Sequence, residues 1–305
     1  MRRVLLWLAR NTWLKRRLPR LGFMRRAVRR FMPGETIDDA ISAAQPLQAA
    51  GIGTLYTRLG ENLTRLDEAA AVAAHYAALL DRIAAAGIDG EISVKLTQLG
   101  LDLDADACLG HLRGLAGHAA ATGSYLWIDM EGSAYTERTI DQYERLRATH
   151  PRTGICLQAY LRRTPADVER LRPLDPAIRL VKGAYDEPPS IAYTGRRAVD
   201  AAFAAVAVEL LTAARDRPVR VGLGTHDVGL IELIADGVRP LGIGRDRFEV
   251  QMLYGIRSGE QQRLAKDGYR VQTLIAYGDA WYPWYMRRLA ERPANVVFAL
   301  RSILP

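Results

Sequence analysis

Eight short β-prone runs, each followed by a turn and most by a longer alanine- and leucine-rich stretch, constrain this chain more than any other feature. The runs are Gly51–Leu59, Glu91–Thr97, Tyr125–Met130, Gly154–Tyr160, Ile178–Gly183, Val219–Leu223, Phe248–Leu253 and Tyr269–Ile275. Their starts are 21 to 41 residues apart, enough for a helix and two turns. Helical patterns fill the gaps at Leu66–Ala86, Ala105–Thr122, Glu137–Thr149, Pro165–Leu171, Ala198–Ala214 and Ser258–Asp267. Strands alternating with helices imply a parallel sheet. Eight such units predict an α/β fold, a (β/α)8 barrel of the TIM type over residues 46–305, preceded by short N-terminal helices in residues 1–45. The alternative is an open doubly wound sheet. Such a sheet usually carries a Gly-rich phosphate loop after its first strand, and GxGxxG is absent there.

Charge separates the two segments. The net charge is +8, but residues 1–34 hold eleven Arg and Lys and no acid, which leaves 31 basic and 34 acidic residues for the rest. The basicity therefore belongs to the arm, and a nucleic-acid-binding body is not indicated. The arm lacks the apolar core and cleavage site of a secretory signal. It also has no Ser, unlike most transit peptides. Leu5, Leu6, Leu8, Trp13, Leu14, Leu18, Leu21 and Phe23 alternate with its charges, as in basic amphipathic helices. Such helices either pack on the body or lie on anionic lipid through residues 1–31. No apolar run reaches the length of a membrane span. Cys108 and Cys156 are too few for a disulfide framework or a four-ligand zinc site and read as reduced core thiols in a cytoplasmic protein. No metal-binding grouping stands out, and aromatics do not alternate with bases as in nucleic-acid grooves.

The strand ends hold the candidate chemistry, because barrel active sites form where strands run into the following loops. Glu61, Lys95, Asp129 with Glu131, Gln158, Lys182, Thr225 with His226, and Gln251 stand there. Charges in buried parallel strands are costly unless paired, so a ring of them is hard to explain as packing. Lys95 and Asp129 can form a buried ion pair. Arg287 and Arg288 diverge by about 100° on a helix, so only an end-on helix aims both at one carboxylate. Otherwise they pair with Glu291 at the surface. His226, taken alone, fits a satisfied loop histidine as well as a ligand.

The segments RFMPGE (30–35), SVKLTQLGLDL (93–103), IDME (128–131), LQAYLRRT (157–164), RLVKGAYDEP (179–188), THD (225–227), FEVQMLYG (248–255) and WYPWYMRRLAERPAN (281–295) occur in that order. Together they resemble the flavin-dependent proline dehydrogenases, specifically the short single-function bacterial type. The likeness runs from about Arg30 to Ile303. It implies a barrel holding FAD non-covalently at its C-terminal face and oxidising L-proline, by hydride transfer to flavin N5, to the cyclic imine pyrroline-5-carboxylate. It further implies that Arg287, Arg288 and Lys95 hold the substrate carboxylate, with Asp129 beside the amino acid. Glu61 would pair with Arg287 as a gate, and Tyr185 would shape the pocket. Arg179 would lie near flavin N5 in a cofactor strand with Val181, Gly183 and Ala184. Lys182 would serve the pyrimidine edge or the phosphates, and Gln158 the pyrimidine edge. Thr225 and His226 would contact the adenosine half, with Glu291 also on the cofactor side. The arm and the resemblance together point to a membrane quinone as electron acceptor and to a protein that is cytoplasmic or peripheral to the inner membrane.

One departure stands in the pocket. Where the family reads Tyr-Val-Pro-Tyr-Gly after strand eight, this chain reads Leu274-Ile275-Ala276-Tyr277-Gly278. Replacing the phenol by an isobutyl group leaves room for a substituted ring, such as 4-hydroxyproline, or for an N-substituted amino acid. Gly132 and Gly222-Leu223-Gly224 are smaller departures. Two other readings compete: a non-catalytic barrel serving as a membrane adaptor, and a phosphate-handling barrel, which would need Gly/Ser-rich loops after strands seven and eight.

Overall fold

A parallel strand buried on both faces needs a hydrogen-bonded neighbour on each side, and here every strand has two. The computed structural model describes Val28, residues 31–60 and residues 63–282. Its strands are β1 (Gly53–Arg58), β2 (Gly90–Val94), β3 (Leu126–Ile128), β4 (Thr153–Gln158), β5 (Ala177–Val181), β6 (Arg220–Gly224), β7 (Glu249–Leu253) and β8 (Arg270–Tyr277). All pairings are parallel, in chain order, and β8 closes on β1. The helices are α1 (Ile37–Ala49), α2 (Leu66–Ala85), α3 (Ala105–Ala121), α4 (Thr136–Arg147), α5 (Thr164–Leu171), α6 (Arg196–Asp216), α7 (Val228–Val238) and α8 (Ser258–Lys266). This is the (β/α)8 barrel that the alternation predicts, and the open sheet is excluded.

α1 precedes the barrel. It opens on a capping box, in which the Thr36 hydroxyl accepts from the Asp39 amide at 3.1 Å and the Asp39 carboxylate accepts from the Thr36 amide at 3.0 Å. Its buried face (Ala40, Ile41, Ala43, Ala44) joins the core, and the helix packs on β1 and β8. The chain thus passes residue 45 inside a helix that carries Pro46. The rest of the arm, residues 1–27 with 29 and 30, lies outside the described residues. No helix among the described residues is long and apolar enough to cross a membrane.

Strand residues alternate between two environments, as a period of two requires. Ile92, Val94, Ile128, Ile155, Ile178, Leu180, Val221, Leu223 and Val250 join the helices in one continuous apolar core. The alternate positions fill the barrel interior, and many of these are polar. Near the N-terminal ends of the strands, Arg220 pairs with Glu91 at 2.8 Å and with Glu249 at 2.8 Å. Trp127 is fully buried above them, beside Leu55, Tyr125 and Ala177, with Leu274 packed against the group. Gly154 makes room for it: a Cβ there would lie 2.5 Å from the indole. Both cysteines are free and buried.

Candidate functional site

The site begins on β2, where alternation puts Glu91, Ser93 and Lys95 on one face of the strand. β3 does the same for Trp127 and Asp129. Asp129 follows the last residue of β3 and is held by its amide, which donates to the Val94 carbonyl at 2.8 Å. Its two carboxylate oxygens have separate duties. Oδ1 accepts from the Ser93 hydroxyl at 2.8 Å and from Arg179 Nη2 at 2.5 Å. Oδ2 accepts from Lys95 Nζ at 3.3 Å. Burial alone would raise this carboxyl, but the charges of Lys95 and Arg179 and the Ser93 hydroxyl outweigh it and hold it below the ordinary aspartate value.

Arg179, on β5, is almost wholly buried, with 5% of its side chain exposed. Nη2 also donates to Ser93 Oγ at 2.6 Å. Nη1 is buried without a hydrogen-bond partner among the described residues. Cys156, beside it on β4, has its thiol pushed up by burial and so remains protonated.

The loops at this face lean on one another. Glu131 accepts from the Thr97 amide at 3.2 Å and the Thr97 hydroxyl at 2.8 Å, and its carbonyl accepts from Gln158 Nε2 at 2.9 Å. Gln98 Nε2 donates to the carbonyls of Arg58 at 3.0 Å and Gly60 at 2.5 Å, which fixes the chain where it leaves β1. After β5, Lys182 pairs with Asp200 and, at 3.1 Å, with Asp227. Burial opposes ionisation of Asp227, yet Lys182 and Arg196 hold its carboxyl below the usual value. Gly183 has φ +118° and its Cα faces the Tyr160 ring, 2.2 Å from where a Cβ would stand, so no side chain fits there. Tyr185 is partly exposed beside Gly132, and Glu187 accepts from the Ser133 amide at 2.7 Å. After β6, Thr225 is buried and its hydroxyl accepts from the Asp227 amide at 3.2 Å.

The comparison with protein families decides what this face belongs to. The family model described as proline dehydrogenase matches residues 40–301. The chain belongs to the proline dehydrogenase family. It is 36% identical over 305 residues to proline dehydrogenase 1 of Bacillus subtilis subsp. natto, spanning all of this chain and 99% of that one. It is 36% identical over 282 residues to proline dehydrogenase of Deinococcus radiodurans, spanning 90% and 89%. Among solved structures, proline utilization A from Bdellovibrio bacteriovorus superposes with a TM-score of 0.82 at 22% identity, which supports the fold. The match covers 95% of this chain but 36% of that longer protein.

Within this proline dehydrogenase barrel, the structure brings Lys95, Asp129 and Arg179 into one cluster and places Gln158, Val181, Lys182, Gly183, Ala184, Thr225 and His226 around the same C-terminal rim. Leu274 stands on β8 and packs against the interior group containing Leu55 and Trp127. Gln251 differs from its reading as a strand-end residue. It sits in the middle of β7, buried, with Nε2 donating to Glu249 at 3.0 Å. Glu61, Arg287, Arg288 and Glu291 lie outside the described residues. Sequence reasoning missed Ser93 and Trp127, since a serine and a tryptophan in a strand look ordinary. Counting back by twos from Lys95 and Asp129 would have found both.

Proposed function

We propose that this chain oxidises the CH–NH bond of L-proline with FAD held at the C-terminal face of the barrel. The observation that carries the reading is Arg179. It is a buried cation with one nitrogen committed to Asp129 and Ser93 and the other, Nη1, left without a partner among the described residues. A buried donor in that state is costly, and an acceptor on a bound group relieves it. Gly183, which leaves no side chain on the rim beside Lys182, and the ordered Gln158 and Thr225 also suit a large planar cofactor with a phosphate tail. FAD, when bound, supplies the hydride acceptor.

This chain's own residues supply binding and orientation. Lys95 Nζ, tethered by Asp129 Oδ2, offers a cation to the substrate carboxylate, and Arg287 and Arg288 complete that clamp in the family reading. Asp129 stays ionised and keeps Lys95 and Arg179 in fixed places, so the cations are preorganised. Arg179 would offer its unpaired Nη1 donor to the bound flavin, whose reduction would build negative charge. Glu61 gates the pocket through Arg287, and Tyr185 walls it. A quinone is the proposed electron acceptor, with residues 1–31 as the proposed lipid contact.

A second reading is favoured by Leu274. It occupies the place of the family's tyrosine, stands in register with Leu55 and packs against the interior group that includes Leu55 and Trp127, leaving no phenol to exclude a substituent on the ring. This reading assigns a different secondary amine, such as 4-hydroxyproline or an N-substituted amino acid. Anaerobic titration of the purified protein, supplied with FAD, tests both. Bleaching of the flavin band by low L-proline supports the first reading. Bleaching only by another cyclic or N-substituted amino acid supports the second. A protein that never retains FAD overturns both.

A further inference from the structure

The barrel interior holds two ionic clusters with one indole between them. The upper cluster is Lys95, Asp129 and Arg179. The lower is Glu91, Arg220 and Glu249, with Arg270 on Glu249 at 3.1 Å. Trp127 joins both. Its Nε1 donates to Glu91 Oε2 at 2.6 Å. Its ring lies 5.0 Å from the Arg220 guanidinium and 5.3 Å from the Arg179 guanidinium, within reach of cation–π attraction to each. Gly154 has no side chain where the indole stands, and a Cβ would meet the ring at 2.5 Å. The space is therefore shaped for a large flat residue, where most barrel interiors use branched aliphatics.

Arg179 has a long, flexible side chain and a choice of acceptors. Above are Asp129 and Ser93, and below is a pair of buried carboxylates sharing Arg220. A buried guanidinium must keep a carboxylate partner, and both levels of the barrel offer one. We propose that Trp127 is a positioning residue: its indole, anchored by Glu91 and Arg220, partitions the barrel and keeps Arg179 on Asp129, aimed at the catalytic face. The consequence for the reaction rests on the proposed flavin chemistry, while the partition itself does not. Burial pushes the Glu91 carboxyl up. Arg220 opposes that rise and Glu249 adds to it. Glu91 and Glu249 share one enclosed guanidinium, Arg220, while Arg270 is 57% exposed and reaches Glu249 alone, so Glu91 has no ion-pair partner of its own among the described residues. A freed Arg179 would meet that need.

The test uses the full-length protein with Trp127→Leu and Trp127→Phe. Crystal structures give a readout that needs no flavin. In Trp127→Leu the Arg179 guanidinium is expected to swing down onto Glu91 or Glu249; if it stays on Asp129 and Ser93, the proposal is overturned. In FAD-loaded protein the same variant is expected to shift the flavin midpoint potential in the negative direction. It is also expected to lower kcat about tenfold or more with little change in KM, as for a displaced preorganised cation. Adding Glu91→Gln to Trp127→Leu is expected to restore part of the potential, because it removes the competing carboxylate. A variant with wild-type potential and kcat and only a lower melting temperature would make Trp127 a packing residue and nothing more. Should Trp127→Leu fail to fold, Trp127→Phe carries the test: its smaller ring should shift the potential the same way by less, and an unchanged potential would overturn the proposal. If wild-type protein takes no FAD, the flavin reading falls while the crystallographic arm still decides the partition.

Discussion

A single carboxylate, Asp129, restrains two cations, the buried Arg179 and the partly buried Lys95, each by its own oxygen. Changing Asp129 to Asn keeps the shape and removes the charge. Breaking a buried ion pair by neutralising one partner costs about 3–5 kcal/mol, so the Asp129→Asn protein should unfold at markedly lower urea, read from its denaturation midpoint. Leu274 makes a separate prediction about selectivity. Leu274→Tyr should raise the preference for proline over 4-hydroxyproline by about 10- to 200-fold in kcat/KM, the reach of one steric group in a pocket. An unchanged ratio would mean that this side chain does not face the ring. Lys95 and Asp129 were legible because a charge in an apolar strand demands a partner. The lower cluster was less so: Glu91 opens its run, Arg220 and Glu249 each stand one residue into theirs, and charges near strand ends are common. Only the closed barrel shows that all three point inward.

All eight strands were legible, because turns bound each run and most outward positions are apolar, with Thr54 and Arg58 on β1 and Thr273 on β8 among the exceptions. Six helices follow the predicted spans to within two residues at each end. α7 did not announce itself, since Val228–Val238 is apolar on nearly every face and carries two glycines. Two elements carry predictions. On β4, Gly154→Ala puts a methyl group 2.5 Å from the Trp127 ring and should cost about 1–3 kcal/mol by overpacking. The same change in Trp127→Leu should cost much less, which a double-mutant cycle in thermal or urea unfolding measures. Between α2 and β8, His75 Nε2 lies 2.8 Å from the Tyr277 hydroxyl. Burial, with the Arg58 charge, lowers the His75 pKa from 6.5 to about 4, against the opposing Asp279. The native state therefore resists protonating this ring while the unfolded chain does not. Its share of stability is complete above about pH 6.5 and is lost as pH falls toward 4. His75→Gln should flatten the pH dependence of the urea midpoint across that window.

At the scale of the molecule, acid acts in two stages. Below the His75 window, Asp129 and Asp227 come into play, both held below the ordinary 3.8 of aspartate. A depressed carboxylate stabilises the fold above its unfolded-state pKa and ceases to do so as pH falls through its folded one. Stability should therefore drop a second time below about pH 4, and Asp129→Asn should blunt that second drop in the same urea series. The charge contrast between arm and body was plain from composition. The pairing of charges inside the barrel was not, since it depends on which face each strand residue takes.

The closing seam of the ring has a consequence of its own. β1 and β8 share six register pairs, while β1–β2, β2–β3, β3–β4 and β6–β7 share three each. The widest zipper in the sheet thus joins segments more than two hundred residues apart in sequence. Such a contact forms only after a long loop has closed, so synthesis of β8 is a threshold before which no prefix of the chain can own a finished sheet. A nascent chain halted short of residue 270 would carry β1 with one flank bare, an open edge of the kind that recruits other strands.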